Sequence, residues 1–284
     1  MAVKISQRRR MWLAFVRNRT AFIGAIIALF IVLIALCAPV LSPYEPLVQD
    51  PLNRLEPGSM QHWLGTDDYG RDVLSRIIYG SRVSLVIGTA SVLLGLAAGT
   101  FFGMLAGYLR GKTATLVMRG IDVMMCFPDF ILAIAVTAAL GSNMFNLILT
   151  IGIVMTPRFA RIAHGAILSI KESEYVIAAQ AIGASTPRIM ARHILPNIFG
   201  ELLVAATLWV GVAIRLEANL AFIGLGVQPP TPTWGNMIRQ GVDVLISAPG
   251  ISVYSGLAIL ITILSFNMLG DGLRDITDPK LRGE

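Results

Sequence analysis

Four long stretches of this 284-residue chain carry no charged side chain, and they limit the possible folds more than any other feature. These stretches are residues 20–44, 83–109, 130–157 and 244–270. A helix that crosses the hydrocarbon core of a membrane needs about 20 mostly apolar residues, and each stretch is long enough. The chain is 55% hydrophobic and 14% charged, whereas soluble domains are about 45–50% apolar and about 25% charged. A soluble enzyme and a disordered chain are therefore excluded.

Length and hydropathy predict an all-α polytopic membrane protein with six membrane-spanning helices. The predicted helices cover residues 21–41, 83–109, 116–140, 144–166, 199–223 and 251–269. Four regions follow from these bounds: residues 1–43 (an N-terminal segment with the first helix), 44–82 (a loop), 83–271 (a core of five helices) and 272–284 (a tail).

Lysine and arginine residues are divided unevenly between the two ends of these helices. If both termini are cytoplasmic, 17 of the 23 lie on that side, five lie outside, and Arg215 lies within the fifth helix. Short cytoplasmic loops of membrane proteins carry an excess of Lys and Arg. We therefore expect a multi-pass protein of the cytoplasmic membrane with both termini inside. Residues 44–82 then form an extracytoplasmic loop, and residues 167–197 form the longest cytoplasmic loop.

Four glycines spaced four residues apart lie in one stripe on the second predicted helix. Small residues at this spacing let two helix backbones approach closely in lipid. Packing within the chain and an interface with a partner subunit both fit this pattern. The residues are Gly95, Gly99, Gly103 and Gly107.

The polar residues show no pattern of a catalytic or metal site. Acidic residues within positions 67–79 alternate with arginines, which predicts a salt-bridged amphipathic helix. The three histidines lie far apart, without the spacing of metal ligands. Residues 106–113 lack the first glycine of a phosphate-binding loop. We predict no catalytic residue, no metal and no cofactor bound by this chain.

The longest cytoplasmic loop reads as two short helices joined at Gly183, the second of which opens with Thr186-Pro187. The alanines at 178–179, Gly183 and Leu195-Pro196 resemble the EAA loop of ABC importer permeases. That pattern is Glu-Ala-Ala, three residues, Gly, nine residues, Ile, one residue, Leu-Pro. This chain differs at Ile177 in place of the acid and at His193 in place of the Ile.

Further segments, in the same order, are similar to the C subunits of dipeptide and oligopeptide permeases. These segments are residues 17–18, 38–39, 42–44, 64–76, 224–226, 228–230, 234–235, 266–275 and 278–279. The resemblance therefore extends over nearly the whole chain.

The resemblance implies a type I ABC importer permease fold, in which a cytoplasmic coupling loop contacts an ATPase. It implies uptake of dipeptides or oligopeptides by alternating access, with ATP and Mg bound by partner subunits. The implied partners are a homologous B-type permease, two ABC ATPase subunits and an extracytoplasmic solute-binding protein. The implied coupling residues are Ala178, Ala179, Gly183, Ala184, Ile194, Leu195 and Pro196.

The fifth predicted helix is the expected lining of the solute pathway between the two permeases. Ionisable groups at membrane depth usually face a bundle interior or a water-filled path. Arg215 and Glu217 are two residues apart and so do not share a helix face. The expected pathway residues are Glu217, Asn219 and Phe222.

Three other functions compete with this one. Nickel or another small solute could use the same machinery. An ATP-independent channel would conduct without ATP and would leave the cytoplasmic hairpin unexplained. An intramembrane hydrolase using Asp122 or Asp129 would need a second catalytic group at the same depth, which the sequence does not show.

Overall fold

The computed structural model describes residues 15–108 and 111–277, so part of the predicted N-terminal segment and tail lies outside it. Within the described residues, the helices of eight or more residues are α1 (Arg19–Leu36), α2 (Val73–Tyr108), α3 (Lys112–Met125), α4 (Asp129–Leu140), α5 (Met144–Ile170), α6 (Glu174–Ala181), α7 (Leu195–Phe222), α8 (Trp234–Asp243) and α9 (Gly250–Thr277).

Five helices in the described part of the chain are long and apolar enough to cross a membrane: α1, α2, α5, the continuous helix Thr186–Phe222 that includes α7, and α9. The third predicted helix, residues 116–140, is not continuous, because α3 and α4 meet at 97°. Pro128 lies at this break. Proline disfavours a helical conformation in the residue before it and cannot continue a helix. If the bent pair counts as one span, residues 15–108 and 111–277 contain the six spans predicted.

Other helix bounds also differ from the prediction. The last helix, α9, continues to Thr277, eight residues past its predicted end, so the predicted tail boundary at residue 272 lies inside it. The first helix ends at Leu36, and a separate short helix, Ala38–Leu41, follows it. The second begins at Val73, ten residues before the predicted start, so the predicted loop boundary at residue 82 lies inside α2. Arg76 interrupts the apolar pattern there, but its side chain is only 1% exposed and pairs with Asp67 at 3.2 Å. A buried and paired arginine does not prevent the helix from continuing.

A buried polar network fixes the loop of residues 42–72 onto the start of α2. Asp67 Oδ2 accepts a hydrogen bond from Arg71 Nε at 2.7 Å, and Gln240 of α8 accepts one from Arg76 Nη2 at 3.3 Å. Asp72 caps α2 by accepting a bond from the Ser75 amide at 2.7 Å. The predicted salt bridges are present, but the predicted helix over residues 67–79 begins only at Val73. This end of the bundle is called the loop end below.

Asp68 lies at the edge of this network. Burial, and to a lesser degree the neighbouring Asp67 carboxylate, raises the pKa of Asp68 above its usual value. Asp67 forms the shorter ion pair with Arg71, at 2.7 Å against 3.7 Å for Asp68. The Asp67 side chain is also less exposed than that of Asp68, at 2% against 28%.

The glycine stripe of α2 faces α5, the helix against which α2 packs along most of its length. A Cβ at Gly99 would lie 2.5 Å from the Phe159 Cβ and from the Thr156 carbonyl oxygen. A Cβ at Gly103 would lie 2.5 Å from the Ala160 carbonyl oxygen. The stripe is therefore covered within this chain, with the two backbones in close contact.

The remaining spans surround this pair. α7 packs on α2, α5 and α9, and α1 packs on α9 and α2. Large apolar side chains on α1, such as Leu29 and Phe30, remain exposed. An apolar surface of this kind on a long apolar helix suits contact with lipid.

Candidate functional site

The hairpin, residues 174–194, lies at the opposite end of the bundle from the 42–72 loop. Helix α6 ends in a left-handed turn at Gly183, where φ is +79°. The Ala184 amide donates to the Ala179 carbonyl at 3.0 Å, which closes the helix end. Ser185 then precedes the second helical segment, and Pro187 lies in its first turn. The predicted two-helix hairpin is therefore present.

One face of the hairpin is buried against the bundle. Val176, Ile189 and Ile194 pack in one cluster with Met104 of α2 and Ile167 of α5. Ala179 belongs to the same cluster. The expectation that Ala179 and Ile194 lie on the outward coupling surface is therefore corrected: both face the bundle, and Leu195 is half-buried.

The opposite face of the hairpin is open and partly apolar. Ile182 beside the turn is 86% exposed, and Tyr175 and Ile177 are also exposed. Ala178, Gly183 and Pro196 are exposed and Ala184 is half-buried. Clustered exposed apolar groups mark contact surfaces, so this face is the candidate coupling surface.

The second half of the hairpin continues into α7 without a break. Residues Met190–Ile194 form one wider π turn directly before Leu195 and Pro196. A proline ring clashes with the carbonyl four residues earlier in a regular α-helix, and π turns occur as single-turn bulges inside helices. The second half of the hairpin and α7 therefore form one continuous helix, Thr186–Phe222.

The expected pathway residues on α7 point in two directions. Asn219 and Phe222 are exposed, whereas Glu217 is fully buried. Glu217 Oε2 lies 3.5 Å from Ser84 Oγ of α2, and its Oε1 has no partner in the described residues. Glu217 thus lies in the packing between α2 and α7, and not on an open passage as expected.

The proline-rich segment after α7 packs at the loop end. Gln228 donates to Ser142 Oγ, between α4 and α5, at 2.9 Å. Trp234 at the start of α8 donates its amide to Ser84 Oγ at 3.3 Å and its ring N–H to the Ile77 carbonyl at 3.1 Å. This segment holds α8 onto α2, directly beside Glu217.

Two ion pairs that the sequence interpretation missed join α5 to the bent α3–α4 segment. Arg158 donates to Asp129, and Arg161 donates to Asp122 at 2.6 Å. The Arg158 guanidinium carbon also lies 4.6 Å from the centre of the Trp209 ring of α7. Arg158 and Arg161 are among the 17 Lys and Arg residues counted on the cytoplasmic side, whereas the structure places both inside α5. Their spacing of three residues, which puts them on one helix face, was the available signal.

The helical architecture of this chain has a counterpart in a solved transporter. A solved structure described as the inward-facing MetNI methionine ABC transporter has a chain similar to this one, with a TM-score of 0.59 and 19% identity. The match covers 72% of this chain and 97% of that chain. The fold is therefore that of an ABC importer permease.

The sequence comparisons give the family. Residues 99–283 match the family described as the binding-protein-dependent transport system inner membrane component, and residues 6–57 match the N-terminal transmembrane domain of oligopeptide transport permease C. The chain belongs to this permease family. It is thus a multi-pass inner-membrane protein and a non-catalytic component of a transport system without a cofactor of its own.

Relatives similar along nearly the whole chain carry different substrate names. A glutathione transport system permease protein, GsiD, of Pectobacterium atrosepticum is 42% identical over 96% of this chain and 91% of its own. A dipeptide permease protein, DppC, of Alkalihalophilus pseudofirmus is 42% identical over 94% and 88%. A di/tripeptide permease protein, DppC, of Pseudomonas aeruginosa is 41% identical over 98% and 93%.

Proposed function

We propose that this chain is one of two permease subunits of an ATP-driven importer of dipeptides and short oligopeptides. A homologous B-type permease, two ABC ATPases and an extracytoplasmic solute-binding protein complete the transporter. The relatives named for dipeptide and di/tripeptide transport support this substrate class. Glutathione is a second candidate substrate, since a similarly close relative is named for it.

The open face of the hairpin supports the proposal that this loop couples the permease to an ATPase subunit. Ile182, Ala178 and Gly183 would contact an ATPase subunit, with Ala184 and Pro196 at the edge of that contact. Small side chains lose little conformational entropy on docking, which suits a contact that forms and breaks in each cycle. The buried residues Ala179 and Ile194 pack on the side of the hairpin that faces the bundle.

Movement of the hairpin would reach the membrane through α7. The ATPases bind ATP and Mg, and their closure favours one position of the hairpin over the other. ATP can drive the change only by binding one state better than the other. The solute would pass between the two permeases, along the face of α7 that exposes Asn219 and Phe222.

Uptake in vesicles tests this proposal. Vesicles holding the four membrane-bound subunits, with ATP inside and binding protein outside, are expected to accumulate a labelled dipeptide. Gly183→Arg is expected to leave the protein inserted and to reduce uptake by at least tenfold, because it covers the coupling surface with a long charged side chain.

Gly183→Asn is the matched control. Asn tolerates the left-handed conformation required by the φ of +79°, and no atom lies within 4 Å of a Cβ at this position. We expect near-normal uptake from this variant. ATP-independent flux through the wild type, transport of nickel without peptide, or full uptake by Gly183→Arg would contradict the proposal.

A further inference from the structure

The two ion pairs on α5 point outward from this subunit. The Arg161 and Asp122 side chains are 57% and 48% exposed, and those of Arg158 and Asp129 are 32% and 36% exposed. Arg158 lies 14 residues into α5, about 21 Å from the loop end of that helix at 1.5 Å per residue. Charged groups at such depth do not face hydrocarbon. Protein or a water-filled passage must therefore cover this face.

The break between α3 and α4 leads to the same conclusion. The 97° bend lies between Asp122 and Asp129. Irregular backbone at membrane depth is stable only against protein or a water-filled cavity. Discontinuous helices in transporters also mark binding sites near the middle of the membrane.

Both arginines retain unused hydrogen-bond donors. A guanidinium group has five N–H donors, and among the described residues each of these arginines donates to one carboxylate oxygen only. The Arg158 Nε is itself buried, so a ligand can reach this arginine only through the terminal nitrogens of its partly exposed side chain. A second carboxylate could therefore bind either arginine without first breaking a larger network.

We propose that Arg158, Arg161, Asp129 and Asp122 form a contact site for the charged ends of a zwitterionic short peptide during its passage. We call it the ion-pair site; the inference rests on the proposed function and names the part of the peptide that the pathway recognises. The peptide carboxylate binds at the arginines, and its ammonium group binds at the aspartates.

The charge balance of the site favours a zwitterion over a simple ion. Two positive and two negative side chains cancel, so a lone anion or cation gains one contact and leaves an aspartate or arginine uncompensated. A peptide with both ends free satisfies both partners. The two pairs lie one helical turn apart on α5, about 5–6 Å between the arginine Cβ atoms, so an extended dipeptide of about 7 Å can place its carboxylate at the arginine of one pair and its ammonium group at the aspartate of the other. Contact with the ends alone would also tolerate varied side chains.

Trp209 provides a direct signal for binding, because the Arg158 guanidinium lies over its ring. The assembled transporter, without nucleotide or binding protein, is titrated with dialanine and with its N-acetyl and C-amide forms. Dialanine is expected to change the fluorescence saturably, and each blocked form should need at least a tenfold higher concentration. The Trp209→Phe variant should lose the signal.

Variants in which the charged side chains are replaced by uncharged ones test whether the peptide binds at these residues. Arg158→Gln combined with Asp129→Asn should abolish the difference between dialanine and its blocked forms, whereas Arg54→Gln in the exposed loop should preserve it. If that double variant does not assemble, Arg161→Gln with Asp122→Asn at the more exposed pair should narrow the difference at least threefold.

Equal responses to free and blocked dipeptide in the wild type would overturn the ion-pair site, as would an unchanged difference in an assembled double variant. Vesicle uptake by the same wild-type preparation separates this result from the proposed function. ATP-dependent peptide uptake without discrimination in the titration rejects the site alone. Failure of all peptide uptake rejects the proposed function.

Discussion

The glycines of α2, which have no Cβ, determine how closely the α2 and α5 backbones approach each other. At Gly95, Gly99 and Gly103, a Cβ would lie 2.7 Å or less from atoms of α5. Helix association in lipid depends on such close packing, because hydrocarbon gives no hydrophobic force between helices. The helix contact is therefore most sensitive to added volume at these positions.

Gly99→Ala should destabilise the protein by about 1–3 kcal/mol, the usual cost of overpacking. Its new methyl group would meet the Thr156 carbonyl and the Phe159 Cβ at 2.5 Å. Thermal unfolding of the purified protein in detergent measures the effect. Gly120→Ala on α3, where a Cβ meets nothing within 4 Å, is the control and should not lower the melting temperature. Equal melting temperatures for the two variants would count against this packing.

The sequence carries residue spacing but not the direction of neighbouring helices. Spacing of four predicted the glycine stripe, yet α5 as its partner became visible only in three dimensions. The spacing of Arg215 and Glu217 predicted different faces, and Arg215 is exposed while Glu217 is buried. Which of these two faces of α7 is exposed depends on the positions of Ser84 and Trp234. These two residues lie more than a hundred residues apart in the sequence.

At the scale of elements, the hairpin depends on one buried cluster. Ile194 is fully buried there, beside Met104 of α2 and Ile167 of α5. Within the part of the chain that the structure describes, the apolar contacts of one face and the Gln180–Tyr108 hydrogen bond of 3.3 Å hold α6 to the bundle. The hairpin should therefore loosen before the spans do.

Ile194→Ala should loosen the hairpin, because removing a buried Ile side chain to Ala costs about 2–5 kcal/mol. Cleavage by trypsin at Arg188 and Arg192, both exposed, should become at least several-fold faster in the detergent-solubilised protein. Ile182→Ala removes the same atoms from an 86% exposed position and should leave the cleavage rate unchanged. Equal rates in both variants would show that the cluster does not hold the hairpin.

Helices and turns were predicted correctly where one residue preference dominated. They were predicted wrongly where two features of the sequence conflicted. The turn at Gly183 and the helix start at Pro187 were read correctly because glycine and proline have strong local preferences. The continuous third helix was a wrong prediction because apolar composition was given more weight than Pro128. The early start of α2 was missed because pairing of Arg76 with Asp67 is a tertiary contact.

For the whole molecule, the two ends of the bundle have different chemistry. The loop end has buried ion pairs around Asp67, whereas the other end presents the partly apolar hairpin. The distribution of Lys and Arg predicts that the hairpin and both termini are cytoplasmic.

Cysteine labelling tests this orientation in a background with Cys37→Ser and Cys126→Ser. Leu52→Cys, at a position that is 94% exposed in the loop, should react with a membrane-impermeant maleimide in cells whose cytoplasmic membrane is intact. Ile182→Cys in the hairpin should react only after that membrane is permeabilised, in cells that express this chain without its proposed ATPase partners, so that the hairpin is uncovered. The reverse pattern would place both termini outside.

The glycine stripe also restricts how the molecule can deform. The glycines recur about every 6 Å at 1.5 Å per residue, so a smaller shift of α2 along α5 would bring the larger side chains of α2 against the α5 backbone. We therefore expect α2 and α5 to tilt together as one rigid pair. Relative movement during transport is then expected at the contacts between this pair and the helices around it.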